Sequence, residues 1–106
     1  MNAKTQAKLE ARARIIKAMA HPTRLFIVDT LSRGEMCVCK LTELIGADMS
    51  TVSKHLAILK DAGIILGSKR GKSVYYTLRI PCVLNFFECV ESVIQSNIEE
   101  QLKLSK

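Results

Sequence analysis

Hydrophobic residues recur at helical spacing along most of the chain, and this pattern predicts a succession of short helices. Apolar positions three and four residues apart predict a first helix over about 7–20. A second helix is expected from Pro22 to about Ser32, with Leu25 turned inward, because proline suits the first turn of a helix. A third, short helix should end at Gly46, since glycine commonly terminates helices. The first half of the chain is therefore predicted to be helical.

The second half combines a capped helix, two strands and a long final helix. Ser50 is predicted to be the N-cap of a fourth helix over Thr51–Ala62, because serine side chains accept hydrogen bonds from the first amides of a helix. β-Branched and aromatic residues over Ile64–Lys69 and Ser73–Leu78 predict two strands joined by a tight turn. Pro81 is expected to open the last helix.

The order of these elements indicates the fold class. A short helix, a tight connection, a capped helix and a β-hairpin follow one another, which is the arrangement of a winged helix-turn-helix. We therefore predict a mainly α fold with a small β-hairpin, in which residues 1–106 form a single domain. The last helix also carries a long apolar stripe, which a domain this small is not expected to bury alone. The dimer-interface residues predicted from this stripe are Phe87, Val90, Ile94 and Ile98.

Charge and composition narrow the class of function. Lysine and arginine total 16 against 10 aspartate and glutamate residues, a formal net charge of +6, which suggests a polyanionic partner. No apolar run could span a bilayer or serve as a secretory signal, so we expect a cytoplasmic protein that acts without a membrane and keeps its four cysteines reduced. The chain has no glycine-rich phosphate loop and no Ser/His/Asp arrangement, so we do not expect an enzyme.

The fourth helix has an apolar and a polar face, as expected for a helix that contacts DNA. Val52, Leu56 and Leu59 share the apolar face and should pack inward, which leaves short hydroxyl donors and a cation on the other face. Such side chains contact phosphates or base edges in the major groove, and a basic hairpin tip can contact phosphate or enter the minor groove. The predicted DNA-binding residues are Ser50, Thr51, Ser53, Lys54 and His55 on the helix and Lys69, Arg70 and Lys72 at the hairpin tip.

Three short segments carry the most distinctive residues of the chain: His21–Leu25 (HPTRL), Glu35–Leu41 (EMCVCKL) and Ser50–Leu56 (STVSKHL). In this order they resemble the ArsR/SmtB family of winged-helix metalloregulators, and the resemblance covers about 15–90. It implies a homodimeric repressor that binds double-stranded operator DNA with an inverted repeat and needs no cofactor for that binding. It further implies dimerisation through the first and last helices, and release from DNA when an inducer binds.

The family uses several inducer sites, and the cysteines distinguish between them. Its zinc, nickel and cobalt sensors use His, Asp and Glu on the last helix, whereas this chain has only His21, expected to be structural as a cap or buried hydrogen-bond partner, and His55. Its cadmium and lead sensors add cysteines from an N-terminal arm, and no cysteine precedes Cys37. Its arsenic(III) and antimony(III) sensors carry a Cys-Val-Cys pair where Cys37 and Cys39 stand. The resemblance therefore implies Cys37 and Cys39 as metal-binding thiolates, with arsenic(III), antimony(III) or an organoarsenical as inducer.

The chemistry of the cysteine pair agrees with such an inducer and leaves two alternatives. Soft ions prefer thiolates, and the start of a helix lowers the pKa of a cysteine. Residues i and i+2 lie about 200° apart around a helix, so a chelate requires Cys37 to be extended and its junction with the helix to bend. The two thiols could instead serve a redox- or persulfide-sensing repressor of the same fold, or pack in a DNA-binding protein without an inducer.

The sequence leaves the third ligand of a metalloid site open. Arsenic sensors of the founding type have a further cysteine three positions after the second, where this chain has Thr42, and Lys40 replaces their commoner aspartate. Cys82, Cys89 or no residue at all could complete the site. Cys89 is expected to pack in the core or in the dimer interface.

Overall fold

The computed structural model describes residues 1–105, which form five α-helices around a small antiparallel sheet. The helices are α1 (Ala3–Met19), α2 (Pro22–Leu31), α3 (Val38–Ile45), α4 (Met49–Asp61) and α5 (Val83–Leu104), and the strands are β1 (Met36–Cys37), β2 (Ile65–Arg70) and β3 (Ser73–Leu78). The strand order is β1-β3-β2, so β3 lies in the centre of the sheet. The prediction of a mainly α, winged helix-turn-helix fold is confirmed: α3 and α4 form the helix-turn-helix, and β2 with β3 forms the wing.

The start of α4 is set by Asp48 and not, as predicted, by Ser50. Asp48 has an extended backbone, with φ −71° and ψ 157°, and its Oδ1 accepts a hydrogen bond from Thr51 N at 3.0 Å. Aspartate caps helices as well as serine does, so the earlier residue takes this position and the helix begins at Met49. Ser50 lies inside the first turn, where its hydroxyl donates to Asp48 Oδ2 at 3.2 Å. The predicted cap was wrong, although the helix itself was placed correctly.

A third strand, β1, was missing from the prediction. Met36 pairs with Tyr76 and Cys37 pairs with Tyr75 in antiparallel register, which adds β1 to the free side of β3. Two residues are too few to show the alternation that indicates a strand in a sequence. This strand brings Cys37 next to the wing.

The two terminal helices begin at other residues than predicted. Helix α1 starts at Ala3 because Asn2 caps it, with Asn2 Oδ1 accepting a hydrogen bond from Thr5 N at 2.8 Å. Helix α5 starts at Val83, because Pro81 lies in the turn that precedes it. No helix within the described residues is long and apolar enough to cross a membrane.

A single apolar core joins α2, α3 and α4 to the sheet. The largest fully buried side chains are Ile27, Val28, Leu41, Val52, Leu56, Leu59, Ile64 and Ile65. Three of them form the inward face of α4, as predicted. This packing fixes the orientation of α4, and therefore which of its side chains face outward.

Leu25 does not belong to this core, contrary to the prediction. It is 40% exposed and lines a groove of about 490 Å³ together with Ile16, Phe86 and Val90. Helix α2 turns its C-terminal apolar residues toward α4, which directs Leu25 to the other side, toward α1 and α5. The groove thus lies on the side of the molecule that carries the apolar stripe of α5.

Candidate DNA-binding surface and thiol site

The outward face of α4 presents four of the predicted DNA contacts near the start of the helix. Ser50, Thr51, Ser53 and Lys54 are exposed, whereas Val52 between them is buried. The helical period, anchored by the buried residues of α4, produces this separation. Hydroxyls and a lysine at a helix N-terminus can donate to phosphate oxygens and to base edges in a major groove. The arrangement therefore fits a DNA-reading helix.

His55 is half-buried and makes contacts within the chain, unlike these exposed residues. Its Nδ1 accepts a hydrogen bond from Arg24 Nε at 3.2 Å, and its ring centroid lies 4.5 Å from that of His21. Burial, followed by the neighbouring His21 and Arg24, lowers the pKa of His55. His55 is therefore a neutral acceptor between α2 and α4 near pH 7, and its contact with DNA stays a prediction.

Arg24 is a structural residue that the sequence reasoning missed. Its Nη1 donates to Ala18 O at 3.0 Å while its Nε donates to His55, so one side chain connects α1, α2 and α4. His21 caps α2 by accepting a hydrogen bond from Thr23 N at 3.1 Å, which agrees with the structural role expected for it. The HPTR segment was the available signal, because His21 and Arg24 connect α2 to the helix that carries the predicted DNA contacts.

The wing presents two lysines and one arginine, and only the arginine has a partner among residues 1–105. Lys69 and Lys72 are exposed and make no ion pair in this part of the chain. Arg70 is the last residue of β2 and forms two hydrogen bonds of 2.6 Å to the carboxylate of Glu35. These bonds raise the pKa of Arg70. The guanidinium also lies over the ring of Tyr75, with its Cζ 4.8 Å from the ring centroid. The predicted DNA contact at Arg70 is thus already engaged within the chain.

Cys37 joins three parts of the structure at the start of α3. It pairs with Tyr75 in the sheet, and it is the N-cap of α3, with its Sγ accepting a hydrogen bond from Lys40 N at 3.3 Å. Its backbone is extended, with φ −77° and ψ 158°, as the chelation argument requires. Cys39 follows in the first turn of α3 and is exposed. The pair therefore spans the junction between a strand and a helix.

The two thiols of this pair interact and differ in acidity. A hydrogen bond from the Cys39 thiol and another from Lys40 N lower the pKa of Cys37, while the same contact with Cys37 raises the pKa of Cys39. Cys37 is thus the first of the two to become a thiolate. Because Cys37 has an extended backbone at the N-cap and only Cys39 is helical, the separation of about 200° between two helical residues does not apply to this pair.

The other two cysteines lie near the start of α5 and on it. Cys82 and Cys89 are both exposed in the chain, so Cys89 is not part of the intramolecular core. Residues 1–105 contain no cluster of three or more His, Cys, Asp or Glu side chains that could hold a metal ion. The described chain therefore brings together Cys37 and Cys39 and adds no third ligand to them.

The apolar stripe of α5 remains largely uncovered in the single chain. Phe87 is half-buried, while Val90, Ile94 and Ile98 are between 42% and 48% exposed. Phe87, Val90 and Ile94 line the groove beside Leu25. Their burial in a dimer stays a prediction.

Comparison with known proteins identifies relatives of the chain. A family model described as bacterial regulatory protein, arsR family, matches residues 21–66. An HTH-type transcriptional regulator of Methanocaldococcus jannaschii is 44% identical over 70 residues, which are 65% of this chain and 79% of that protein. A cadmium resistance transcriptional regulatory protein of Staphylococcus aureus is 43% identical over 67 residues, 62% of this chain and 55% of that protein. The arsenical resistance operon repressor of Escherichia coli is 43% identical over 65 residues, 60% of this chain and 56% of that protein.

These matches cover little more than half the length of the two resistance regulators. A solved structure matches nearly the whole chain: the homodimeric winged helix-turn-helix DNA-binding domain of a possible ArsR-family transcriptional regulator from Mycobacterium bovis, determined by solution NMR. Its TM-score is 0.77 at 30% sequence identity, and the match covers 94% of this chain and 93% of that one.

Proposed function

We infer that this chain, which belongs to the ArsR family of bacterial regulatory proteins and is a DNA-binding transcriptional repressor, releases its operator when arsenic(III) or antimony(III) binds Cys37 and Cys39. The observation that carries this proposal is the position of Cys37. One sulfur atom caps α3, and it belongs to a residue that pairs with the wing and lies two positions before Cys39. An ion bound there would act on both parts of the winged helix-turn-helix.

The donor set suits a trivalent metalloid. Two thiols that already interact, one of them with a lowered pKa, offer soft sulfur ligands to a soft ion. In the binding reaction each thiol replaces one hydroxyl group of arsenous or antimonous acid, so that one sulfur–metalloid bond forms and one water leaves per thiol. Thr42, where the founding arsenic sensors have a cysteine, donates its hydroxyl to Val38 O at 2.8 Å and supplies no sulfur. A two-thiol site would accept a monosubstituted organoarsenical as well as arsenite.

The capping hydrogen bond connects this site to the DNA-reading helix. When its lone pairs are used in a bond to an ion, Cys37 Sγ becomes a weaker acceptor for Lys40 N, and the first turn of α3 loses its cap. Leu41 of α3 lies in the same core as Val52 and Leu56 of α4. A displacement at the start of α3 would therefore reach α4 through packed side chains. We propose this path as the means of release.

The repressor is proposed to act as a homodimer on an inverted-repeat operator. The uncovered stripe of α5 supports this, and so does the homodimeric state of the Mycobacterium bovis domain. In such a dimer the exposed face of α4 and the lysines of the wing would contact each half-site.

The test is an anaerobic titration of a protein–DNA complex with sodium arsenite, read by fluorescence anisotropy on a duplex selected by the protein from a random pool. Cys37→Ser and Cys39→Ser should each retain DNA binding and lose release by arsenite. Cys37→Ser is the sharper variant, because a serine hydroxyl keeps the cap of α3 while it removes the sulfur. Cys89→Ser is the matched control and should respond like the wild type. A full arsenite response in the Cys37→Ser, Cys39→Ser double variant would contradict the proposal.

A second candidate is a repressor that senses oxidants or persulfides through the same pair. The contact between the two thiols and the lowered pKa of Cys37 favour it, because the thiolate is the form that oxidises. Hydrogen peroxide or a persulfide donor would then release the DNA in the absence of metalloid, and anaerobic arsenite would leave the complex intact. The same two serine variants and the same Cys89→Ser control serve this experiment.

A further inference from the structure

The ion pair between Glu35 and Arg70 differs from the other ion pairs described in residues 1–105. Those pairs join residues four and three positions apart in the chain, at 2.7 Å and 3.8 Å respectively. Glu35 and Arg70 are 35 residues apart, and both carboxylate oxygens accept hydrogen bonds of 2.6 Å from the two terminal nitrogens of the guanidinium. The guanidinium also lies over the ring of Tyr75, with its Cζ 4.8 Å from the ring centroid. An ion pair with this bidentate geometry contributes more to stability than an ordinary surface ion pair does.

The carboxylate occupies the side of Arg70 that would bind a DNA phosphate. A guanidinium fork matches phosphate and carboxylate in the same way, with two parallel N–H groups directed at two oxygens. Glu35 takes both terminal nitrogens, and its charge would repel a phosphate brought to the same position. Arg70 can therefore contribute its full charge to DNA only when Glu35 has moved away.

The same carboxylate adjoins the thiol site. Glu35 directly precedes β1, and Cys37 at the other end of β1 lies opposite Tyr75 in the sheet. Tyr75 is also the ring on which Arg70 rests. The partner of Arg70, Glu35, thus lies just before this two-residue strand, and the proposed inducer-binding residue, Cys37, lies at its other end.

We propose that Glu35 competes with the DNA phosphate for Arg70, and that β1 determines which of the two Arg70 binds. Glu35 is a positioning residue for the wing. While Glu35 is paired with Arg70, it weakens DNA binding. When Glu35 moves away, the positive charge of Arg70 becomes available to the operator, one per protomer. An ion on Cys37 and Cys39 fixes the end of β1 to α3 and keeps Glu35 on Arg70. The competition rests only on DNA binding by the family, whereas control by the ion rests on the proposed function.

The first experiment measures the competition without any inducer. Glu35→Gln keeps the shape of the side chain and removes its charge, so operator binding should tighten and the slope of log K against log salt should steepen by about 0.9 per protomer, one phosphate contact. The same change introduced beside Arg70→Gln should have no effect on the slope. Thermal melts verify that each variant is folded.

Glu43→Gln is the matched control for this experiment. It changes the net charge equally but removes a carboxylate that faces Lys40 at 3.8 Å on α3. An effect of Glu35→Gln no larger than that of Glu43→Gln, or one that persists beside Arg70→Gln, would overturn the competition.

The second experiment measures control by the ion, with anaerobic sodium arsenite as the probe. The fold-change in operator affinity caused by arsenite should be smaller in Glu35→Gln than in the wild type and in Glu43→Gln. An equal fold-change in all three proteins would overturn the role of β1. If arsenite fails to release even the wild type, the proposed function and control by the ion are both wrong, while the salt slopes still decide the competition.

Discussion

Lys54 and Leu56 lie on opposite faces of α4, and replacing each by alanine should separate DNA binding from stability. Lys54 is exposed, so its removal should change the free energy of unfolding by no more than about 0.5 kcal/mol. Leu56 is 1% exposed in the core, and its truncation should cost about 2–5 kcal/mol. For a domain of this size, that cost lowers the melting temperature by roughly 8 °C or more.

The expected effect on DNA depends on what Lys54 contacts. If it contacts a phosphate, Lys54→Ala reduces the salt slope by about 0.9 per protomer, so each fourfold rise in salt costs the wild type about 3.5-fold more affinity per protomer than the variant. If it contacts a guanine, the variant loses about 1–3 kcal/mol and its discrimination at one base pair. Anisotropy titrations at several salt concentrations and on singly substituted duplexes distinguish the two contacts.

Lys60 provides the matched control on the same helix. It is exposed in the last turn of α4, away from the residues at the helix start, so Lys60→Ala should leave both the affinity and the melting temperature close to the wild-type values. Unchanged affinity and salt slope in Lys54→Ala would refute the assignment of this face to DNA. So would equal losses in Lys54→Ala and Lys60→Ala.

Three further predictions concern assembly, packing and pH. Val90→Asp places a charge on the exposed stripe of α5 and should give monomers in sedimentation velocity, and a folded dimeric variant would contradict the interface. Thr30 is buried, and its hydroxyl has no hydrogen-bond partner in the described residues. Thr30→Val should therefore raise the free energy of unfolding by about 1 kcal/mol, and the melting temperature with it. A lower melting temperature would contradict this prediction. The folded-state pKa of His55 is lowered, so the unfolded chain binds more protons and stability should fall as the pH drops below about 6.5. Protonation also removes the acceptor for Arg24, so His55→Gln should flatten the pH dependence of the melting temperature.

The elements with regular hydrophobic periods could be predicted from the sequence, and those set by single contacts could not. The inward face of α4 followed from its helical period, and it was found where Val52, Leu56 and Leu59 predicted it. The cap at Asp48 and the strand β1 depend on one or two residues each, which leave no period to detect. Leu25 was misplaced because a helical stripe does not show which neighbouring helix covers it.

The candidate site, too, could be predicted from the sequence only in part. The spacing of Cys37 and Cys39 indicated a thiol site, but that Cys37 caps α3 follows only from its backbone conformation. The sequence identified Arg70 as a basic residue of the wing, yet its partner Glu35 lies 35 residues away and meets it through the pairing of β1 with β3. Contacts between distant residues of opposite charge have no local signature, because any exposed carboxylate could serve.

The strand order leaves β2 as an edge of the sheet, with backbone groups on one side that could pair with another molecule. Leu66 is 53% exposed on this strand, which makes the edge attractive for strand addition and aggregation. Lys69 opposes such pairing, because two identical edges would bring like charges together. Variants that neutralise Lys69 should therefore aggregate more readily.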